Sequence, residues 1–347
     1  MSHRTVPTTG DRTAAYAQVK ARLLVRFGTD QFVGESPAFL ASLEKLVAYS
    51  QSLAPVLITG ETGTGKESVA RAVHYLGARA DKPFIPVNCG SLPDALLENE
   101  LFGHERGAYT DASRAHTGLV REAHGGTLFL DEINTLSASG QVKLLRFLED
   151  RRYKPLGASK YVDADVRFIA ATNCRLRDEV AQGRFRQDLF YRINLLNVEL
   201  PPLRERGTDV STIARHYLKM FSAMYGKPGL FFSAETFDAL QSYPWPGNIR
   251  ELKNMVEKGV LDAKTEEIIP YDLDIALPEE ADTPAPTSFR EAKKAVVREF
   301  EREYLLRILN EHDGNISRAA RSAGTDRRSF QRLMKLHHIN GPAATEE

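Results

Sequence analysis

The segment Gly60–Lys66, which reads Gly-Glu-Thr-Gly-Thr-Gly-Lys, constrains the fold of this chain more than any other part of it. The apolar run Pro55–Thr59 directly precedes this segment and predicts a buried strand. A helical pattern follows, and its apolar face comprises Val69, Ala70, Val73 and Leu76. Backbone N–H groups in a glycine-rich turn between strand and helix bind phosphate oxygens, helped by the helix dipole. The segment therefore predicts a nucleoside triphosphate site, in which Lys66 reaches the terminal phosphates.

One position departs from the general phosphate-loop pattern. Glu67 stands where that pattern has Ser or Thr as a magnesium ligand, so acids elsewhere must hold most of the metal's coordination. The residues expected to contact the nucleotide from this segment are Gly60, Glu61, Thr62, Gly63, Thr64, Gly65, Lys66 and Glu67.

A second apolar strand, Thr127–Asp131, ends in two adjacent acids about 65 residues after the loop. Parallel α/β sheets bind ligands beyond the carboxyl ends of their strands. We expect Asp131 to hold Mg²⁺ and Glu132 to polarise an attacking water, because phosphoryl transfer needs one group for the metal charge and another for the nucleophile.

Length, charge and cysteine content limit the functional classes. With 347 residues the chain is long enough for two or three domains, and its zero net charge means that any nucleic acid must be bound by a local basic patch. The two cysteines, Cys89 and Cys174, lack metal-ligand spacing and predict reduced thiols. No apolar run approaches the roughly 20 residues of a membrane helix, and no signal-peptide core is present, so a cytoplasmic protein without a membrane partner is expected.

Strand and helix patterns alternate from about residue 32 to residue 202 and become helical afterwards. This alternation predicts a mostly parallel sheet that is covered on both faces. The segment 270–287, rich in Pro, Asp, Glu and Ala, predicts a linker. The predicted strands are Val56–Thr59, Phe84–Asn88, Thr127–Asp131, Val166–Ala171 and Leu195–Leu200.

Four segments together resemble the AAA+ domain of NtrC-type bacterial enhancer-binding proteins, the activators of sigma-54 RNA polymerase: Gly60–Glu67, Gly125–Ile133, Phe185–Arg192 and Trp245–Leu252. The resemblance implies an α/β fold, an AAA+ P-loop NTPase with a parallel sheet, a helical lid and a separate all-α helix-turn-helix domain. Glu67 is this family's own form of the phosphate loop. The expected domains are a short N-terminal segment without a sensory domain (1–32, with one helix at 14–26), the α/β subdomain (33–203), the lid (204–268), a linker (269–288) and the DNA-binding domain (289–341).

The resemblance also assigns roles. It implies ATP and Mg²⁺ as cofactors, and Arg186 and Arg192 as arginine fingers that reach into a neighbouring subunit's site. Arg250 would sense the phosphates from the lid. Asn88 would restrain Glu132, and Asn173 would contact the γ-phosphate or the attacking water. Arginines supplied in trans imply a closed ring, and the family uses hexamers.

The segment Gly107–Ala112 matches the family's loop that contacts sigma-54. Tyr109 keeps an aromatic ring and Thr110 keeps the central threonine, but Asp111 replaces a glycine of the usual Gly-Ala-Phe-Thr-Gly-Ala. Glycine adopts positive φ freely, whereas aspartate does so at a cost and adds a charge. Two interpretations stay open: the loop still engages sigma-54, or the contact is weakened and the same motor serves another purpose.

The C-terminal end is basic and predicts a Fis-type helix-turn-helix. A short helix carries Ile316, Ala319, Ala320 and Ala323, Gly324 marks a tight turn, and a second helix starts near Asp326. Phe330, Leu333 and Met334 form the apolar side of that second helix. The residues expected to contact DNA are Arg327, Arg328, Gln331, Arg332 and Lys335. A preceding apolar stripe that could pair two chains into a dimer comprises Phe289, Ala292, Val296, Phe300 and Tyr304.

The main hypothesis is an ATP-driven transcription activator that binds an upstream enhancer and remodels the sigma-54 polymerase closed complex. The alternative is a DNA-binding regulator or repressor whose ATP site controls assembly only. A general AAA+ remodeller is disfavoured by the helix-turn-helix. Regulation would come from a protein acting in trans, from expression level or from residues 1–32, and the sequence does not choose between them.

Overall fold

The computed structural model describes residues 32–91, 93–108, 114–275 and 315–336, together with 297, 301, 304, 305, 307–309 and 312. The chain forms two compact units, Met1–Leu277 and Pro278–Glu347. The helix predicted at 14–26 lies outside the described residues. So do Phe289, Ala292, Val296 and Phe300 of the predicted apolar stripe.

A five-stranded parallel sheet forms the centre of the first unit, as the sequence predicts. Its strands are β1 (Val56–Thr59), β2 (Phe84–Asn88), β3 (Thr127–Asp131), β4 (Arg167–Thr172) and β5 (Leu196–Glu199). Their order in the sheet is β2-β3-β4-β1-β5. The fourth and fifth strands differ from the predicted bounds by one residue at each end, the usual uncertainty of strand termini.

Alternate residues of these strands enter two separate cores, one on each face of the sheet. Leu128 and Leu130 of β3 join one cluster, whereas Phe129 joins the other. Because both faces are covered, the central strands β1, β3 and β4 are almost entirely buried, whereas the edge strands β2 and β5 keep exposed positions. The covering helices are α1 (Pro37–Ser50), α2 (Lys66–Tyr75), α3 (Asp94–Phe102), α4 (Leu119–Glu122), α5 (Ala138–Asp150), α6 (Leu176–Ala181) and α7 (Gln187–Ile193).

The helical lid follows the sheet and has its own core around Trp245, which is fully buried and donates from Nε1 to the Leu240 carbonyl at 2.9 Å. Its helices are α8 (Asp209–Met224), α9 (Ala234–Ser242) and α10 (Asn248–Asp262). Short 3₁₀ turns lie at Ile133–Thr135, Leu203–Glu205 and Pro270–Leu273. Two-residue strands pair at Gly103–His104 with His116–Thr117, Arg152–Tyr153 with Val162–Asp163, and Phe231–Phe232 with Glu267–Ile268.

In the second unit, helices α11 (Ile316–Ser322) and α12 (Arg327–Leu336) form the predicted helix-turn-helix. Gly324 has φ +66°, a left-handed conformation that glycine adopts without strain. Phe330 and Met334 are buried against Ala319 and Ala320, so the predicted apolar side faces this small core. Tyr304, the described member of the apolar stripe, packs partly against the same core.

Candidate nucleotide site and DNA-reading helix

The phosphate loop joins β1 to the start of α2, as the sequence predicts. Lys66 is 8% exposed, and its Nζ donates to the carbonyls of Gly60 and Glu61 at 2.8 and 2.9 Å. Burial lowers the pKa of Lys66, while Asp131 and Glu132 act in the opposite direction. Gly63 and Gly65 have φ +81° and +96°, which a residue with a side chain adopts only with strain. The loop therefore holds its lysine folded back on its own carbonyls.

The acidic pair lies at the carboxyl end of β3. The Glu132 N–H donates to Asp131 Oδ1 at 2.9 Å, and Glu132 itself has φ +53°. A non-glycine residue in this region is uncommon, and such strain clusters at functional sites. The Glu132 carboxylate lies against Gly90, where a Cβ would come within 2.6 Å of Oε2 and would displace this carboxylate.

Asn88 ends β2 and pairs in register with Asp131. Its Oδ1 accepts from the Gly90 N–H at 2.8 Å, and within the described residues Asn88 makes no hydrogen bond to Glu132. Gly90 therefore lies between the two residues. It was missed from the sequence, since an isolated glycine after a strand reads as a turn.

Asn173 follows β4, the strand between β3 and β1. Its Nδ2 donates to Thr62 Oγ1 at 3.3 Å, so it touches the phosphate loop. Three neighbouring strands thus deliver Asp131 with Glu132, Asn173 and the loop to one edge of the sheet. Glu67, by contrast, is exposed and pairs with Arg71 at 2.7 Å.

The lid contributes Arg250, which lines a cavity of about 480 Å³ together with Thr62 and Gly247. The Ile249 N–H donates to the Gly63 carbonyl at 3.0 Å. Asn248 also reaches the loop, as does Arg204 through an ion pair with Glu61. Asn248 and Arg204 were not predicted as site residues, because a contact between distant segments leaves no local pattern in the sequence.

The two predicted arginine fingers lie on α7 or at its start. Arg186 is exposed and pairs with Asp188 at 2.6 Å, and Arg192 donates from Nη2 to the Leu148 carbonyl at 2.9 Å. Within the described residues neither makes a hydrogen bond or ion pair to the phosphate loop. Their predicted role in a neighbouring subunit stays a prediction.

The tip of the predicted contact loop, with Tyr109, Thr110 and Asp111, lies outside the described residues. Its base is described: Gly103–His104 pairs antiparallel with His116–Thr117. The His104 ring is buried, with Nδ1 2.7 Å from Asn99 Oδ1 and Nε2 2.9 Å from the Arg114 carbonyl. The base is therefore closed by both backbone and side-chain contacts.

On α12, Arg328 and Arg332 lie opposite the buried Phe330 and Met334, whereas Arg327, seven residues before Met334, starts the helix on the apolar side. Arg327, Arg328 and Arg332 are exposed, Gln331 is half-buried, and Lys335 lies in the last turn of the helix. The helix start is capped by Asp326, whose Oδ1 accepts from the Ser329 N–H at 2.9 Å.

Residues 32–199 match the sigma-54 interaction domain, residues 204–288 the AAA+ ATPase lid domain, and residues 296–336 the Fis family of bacterial regulatory proteins. The transcriptional regulatory protein ZraR of Escherichia coli K12 is 43% identical over 320 residues, which cover 92% of this chain and 70% of ZraR. This chain belongs to the sigma-54-dependent transcriptional regulators. The predicted class, an ATP-binding and DNA-binding transcription regulator with a sigma-54 interaction domain, is therefore confirmed.

Two further proteins are similar to most of this chain. The transcriptional regulatory protein GlrR of Escherichia coli K12 is 41% identical over 311 residues, which cover 90% of this chain and 69% of GlrR. The crystal structure of NtrX from Brucella abortus in complex with ATP superposes with a TM-score of 0.65 at 33% identity, covering 94% of this chain and 73% of NtrX. The predicted AAA+ fold with lid and helix-turn-helix is thereby confirmed. Across the described residues, no helix combines the length and apolarity needed to cross a bilayer.

Proposed function

We propose that this protein binds ATP and Mg²⁺ at the phosphate loop, assembles into a ring, and uses hydrolysis to remodel the sigma-54 polymerase closed complex from an upstream DNA site. The observation that carries the proposal is the convergence of Lys66, Asn173 and the Asp131–Glu132 pair at one edge of the sheet. Groups that bind phosphate and orient water then surround a single terminal phosphate.

ATP is supported by the NtrX complex and by the geometry of the loop. Lys66, now bonded to two loop carbonyls, would exchange those acceptors for phosphate oxygens. The donor set suits Mg²⁺, which takes one or two carboxylates together with phosphate oxygens. Asp131 would hold it, because Glu67 is engaged with Arg71; when bound, Mg²⁺ neutralises charge on the phosphates.

Glu132 would accept a proton from the attacking water, and Asn173 would help to orient that water. The left-handed backbone of Glu132 supports this role, because such strain in a non-glycine residue clusters at functional sites. Asn88 would communicate with Glu132 through Gly90, which touches both.

A single subunit would be a poor ATPase, because Arg186 and Arg192 would act on the next subunit's nucleotide. An arginine supplied in trans stabilises transition-state charge and is worth about 10³–10⁵ in rate. A heterologous contact of this kind closes into a ring, and a hexamer is the proposed form. Dimeric DNA binding through α12 would bring the subunits together.

Within this proposal the α/β subdomain ends near residue 203, and a linker leads to the DNA-binding domain at 289–341. The lid continues past the predicted boundary at 268, because Leu273 and Ile275 are buried in its core. Tyr109, Thr110 and Asp111 would form the tip that touches sigma-54 and moves with the nucleotide state. Motion is coupled to hydrolysis only if that contact differs between nucleotide states. A protein acting in trans is the proposed regulator.

Transcription in vitro with purified sigma-54 polymerase tests the proposal. We expect open complexes from a supercoiled enhancer template with ATP and none with a non-hydrolysable analogue. Equal activity with the analogue, or transcription that persists without sigma-54, would reject it.

The departure at Asp111 favours one rival, a regulator whose ATP site controls assembly only. Asp111→Gly in the same assay separates the two functions. If the wild type is inactive and the variant active, the rival gains; if the wild type already activates strongly, the rival is excluded.

A further inference from the structure

The first turn of the lid helix α10 is joined to the phosphate loop by one fully buried side chain. Asn248 donates from Nδ2 to the Thr62 carbonyl at 3.0 Å and to Glu61 Oε2 at 3.1 Å. Its Oδ1 accepts from the Leu203 N–H at 2.7 Å. Both donors and the acceptor are therefore used, and one amide connects the loop, the lid and the segment between sheet and lid.

The backbone at this junction is specialised as well. Asn248 has φ +53°, in the left-handed region that asparagine tolerates better than most residues. The Ile249 N–H donates to the Gly63 carbonyl at 3.0 Å. A Cβ at Gly63 would collide with the Gly247 carbonyl. Lid and loop thus meet backbone to backbone, without space for a larger residue.

Glu61 strengthens the same junction from the other side. Its carboxylate receives two hydrogen bonds from the Arg204 guanidinium at 2.5 and 2.8 Å, in addition to the one from Asn248. The bonds from Arg204 and Asn248 lower the pKa of Glu61 to about 2. Arg204, which bonds to Glu61, directly follows Leu203, which bonds to Asn248. One short turn therefore contacts both residues.

These bonds have a consequence for phosphate binding. In a trans peptide the C=O and the following N–H point in opposite directions. Because Asn248 holds the Thr62 carbonyl towards the lid, the Gly63 N–H is directed away from the lid. The lid therefore orients a loop N–H of the kind that binds phosphate.

We infer that Asn248 and Glu61 form a latch between the phosphate loop and the lid, and that this latch places Arg250 over the bound nucleotide. The inference rests on the proposed function, because it concerns the same ATP site. Arg250 follows Asn248 by two residues on one helix, so anchoring the first turn to Thr62 and Gly63 sets its position. Asn248 is a positioning residue: it acts through the loop and through Arg250.

A set of three variants tests the latch. Asn248→Asp tolerates the same backbone and still accepts from Leu203, but it turns a carboxylate oxygen towards Glu61 and Thr62. Glu61→Gln alone removes one charge. In the double variant the donor and acceptor are exchanged: the amide of Gln at position 61 can donate to the carboxylate of Asp at position 248. Gln241→Ala is the matched control, since among the described residues Gln241 forms its side-chain hydrogen bond within the lid, to Ser211 Oγ at 2.7 Å.

The steady-state KM for ATP and hydrogen exchange without nucleotide are measured on the full chain. In Asn248→Asp we expect a KM about tenfold higher with a smaller change in kcat, and Ile249 amide exchange about tenfold faster. The double variant should recover part of both effects, and Gln241→Ala neither. If Asn248→Asp does not fold, Asn248→Gly keeps the backbone and removes all three bonds, with the same expectation.

Different results would reject the latch and the proposed function. Unchanged exchange and KM in Asn248→Asp, or no recovery in the double variant, overturns the latch while ATP turnover persists. If the wild type hydrolyses no ATP, the proposed function is rejected. The latch is then tested by comparing wild type and Asn248→Asp in two measurements: amide exchange at Ile249 and the Kd of a fluorescent ADP analogue.

Discussion

The phosphate-loop edge of the sheet and the exposed face of α12 both present charged side chains, but they hold them differently. At the loop two charged groups are held by hydrogen bonds: Lys66 donates to two carbonyls, and Glu61 accepts from Arg204 and Asn248. On α12, the side chains of Arg327, Arg328 and Arg332 are exposed and make no hydrogen bond or ion pair within the described residues.

This difference follows from the two kinds of ligand. A small polyphosphate is bound and cleaved by groups placed beforehand, because the cost of reorganising them would reduce the rate. A DNA backbone is long and repetitive, and solvated cations gain binding free energy by releasing counterions. Holding the α12 arginines in internal ion pairs would remove that gain.

Replacing Glu132 should have a greater effect than the changes below, because it removes a carboxylate that the fold places at the nucleotide site. In Glu132→Gln we expect ATP turnover to fall by about 10²–10⁴, because the water loses its base, while nucleotide affinity changes little. Steady-state turnover and binding of a fluorescent ATP analogue measure the two separately. Glu257→Gln on the lid surface is the control, and a Glu132→Gln variant with wild-type turnover would contradict the assignment.

The same contrast with the exposed α12 arginines extends to His74, a buried residue in the last turn of α2, the helix that follows the phosphate loop. His74 is fully buried beside Thr127, and burial lowers its pKa from 6.5 to about 4. The folded state therefore binds fewer protons than the unfolded state between these pH values, and stability is lost as the pH falls. We expect the free energy of unfolding to drop by about 3 kcal/mol across this window.

Chemical denaturation at several pH values, with His74→Gln, measures this contribution. In His74→Gln the free energy of unfolding should depend less on pH, because the contribution of His74 is gone. In His124→Gln, at an exposed position, the pH dependence should stay as in the wild type. Identical slopes in the wild type and His74→Gln would show that the buried imidazole does not control acid stability.

Replacing single arginines on α12 should have the mildest effect, and it tests whether these solvated side chains contact DNA. Arg328→Ala and Arg332→Ala should each weaken binding to the cognate DNA site by about 1–3 kcal/mol if they read base edges. ATP turnover without DNA should be unchanged. Footprinting titrations over a range of salt concentrations measure the affinity; undiminished affinity in both variants would exclude α12 as the reading helix.

Much of the fold was predictable because its signals are local. Apolar runs with no polar face indicated strands buried on both sides, and the sheet is indeed parallel with a core on each face. In α12 the spacing of Phe330, Leu333 and Met334 predicted the buried side. The predicted ends of the fourth and fifth strands differ from the observed ends by one residue, because terminal hydrogen bonds depend on neighbouring strands.

Local sequence patterns were enough to identify the chemistry available to this protein: a glycine-rich loop with Lys66, an acidic pair after a strand, and a basic helix near residue 330. How the loop is held could be seen only in the folded chain. Asn248 and Glu61 lie 187 residues apart, and no periodicity links them. Their contact exists because lid and sheet fold against each other, and a hydrogen bond across that distance is encoded in packing rather than in any local pattern.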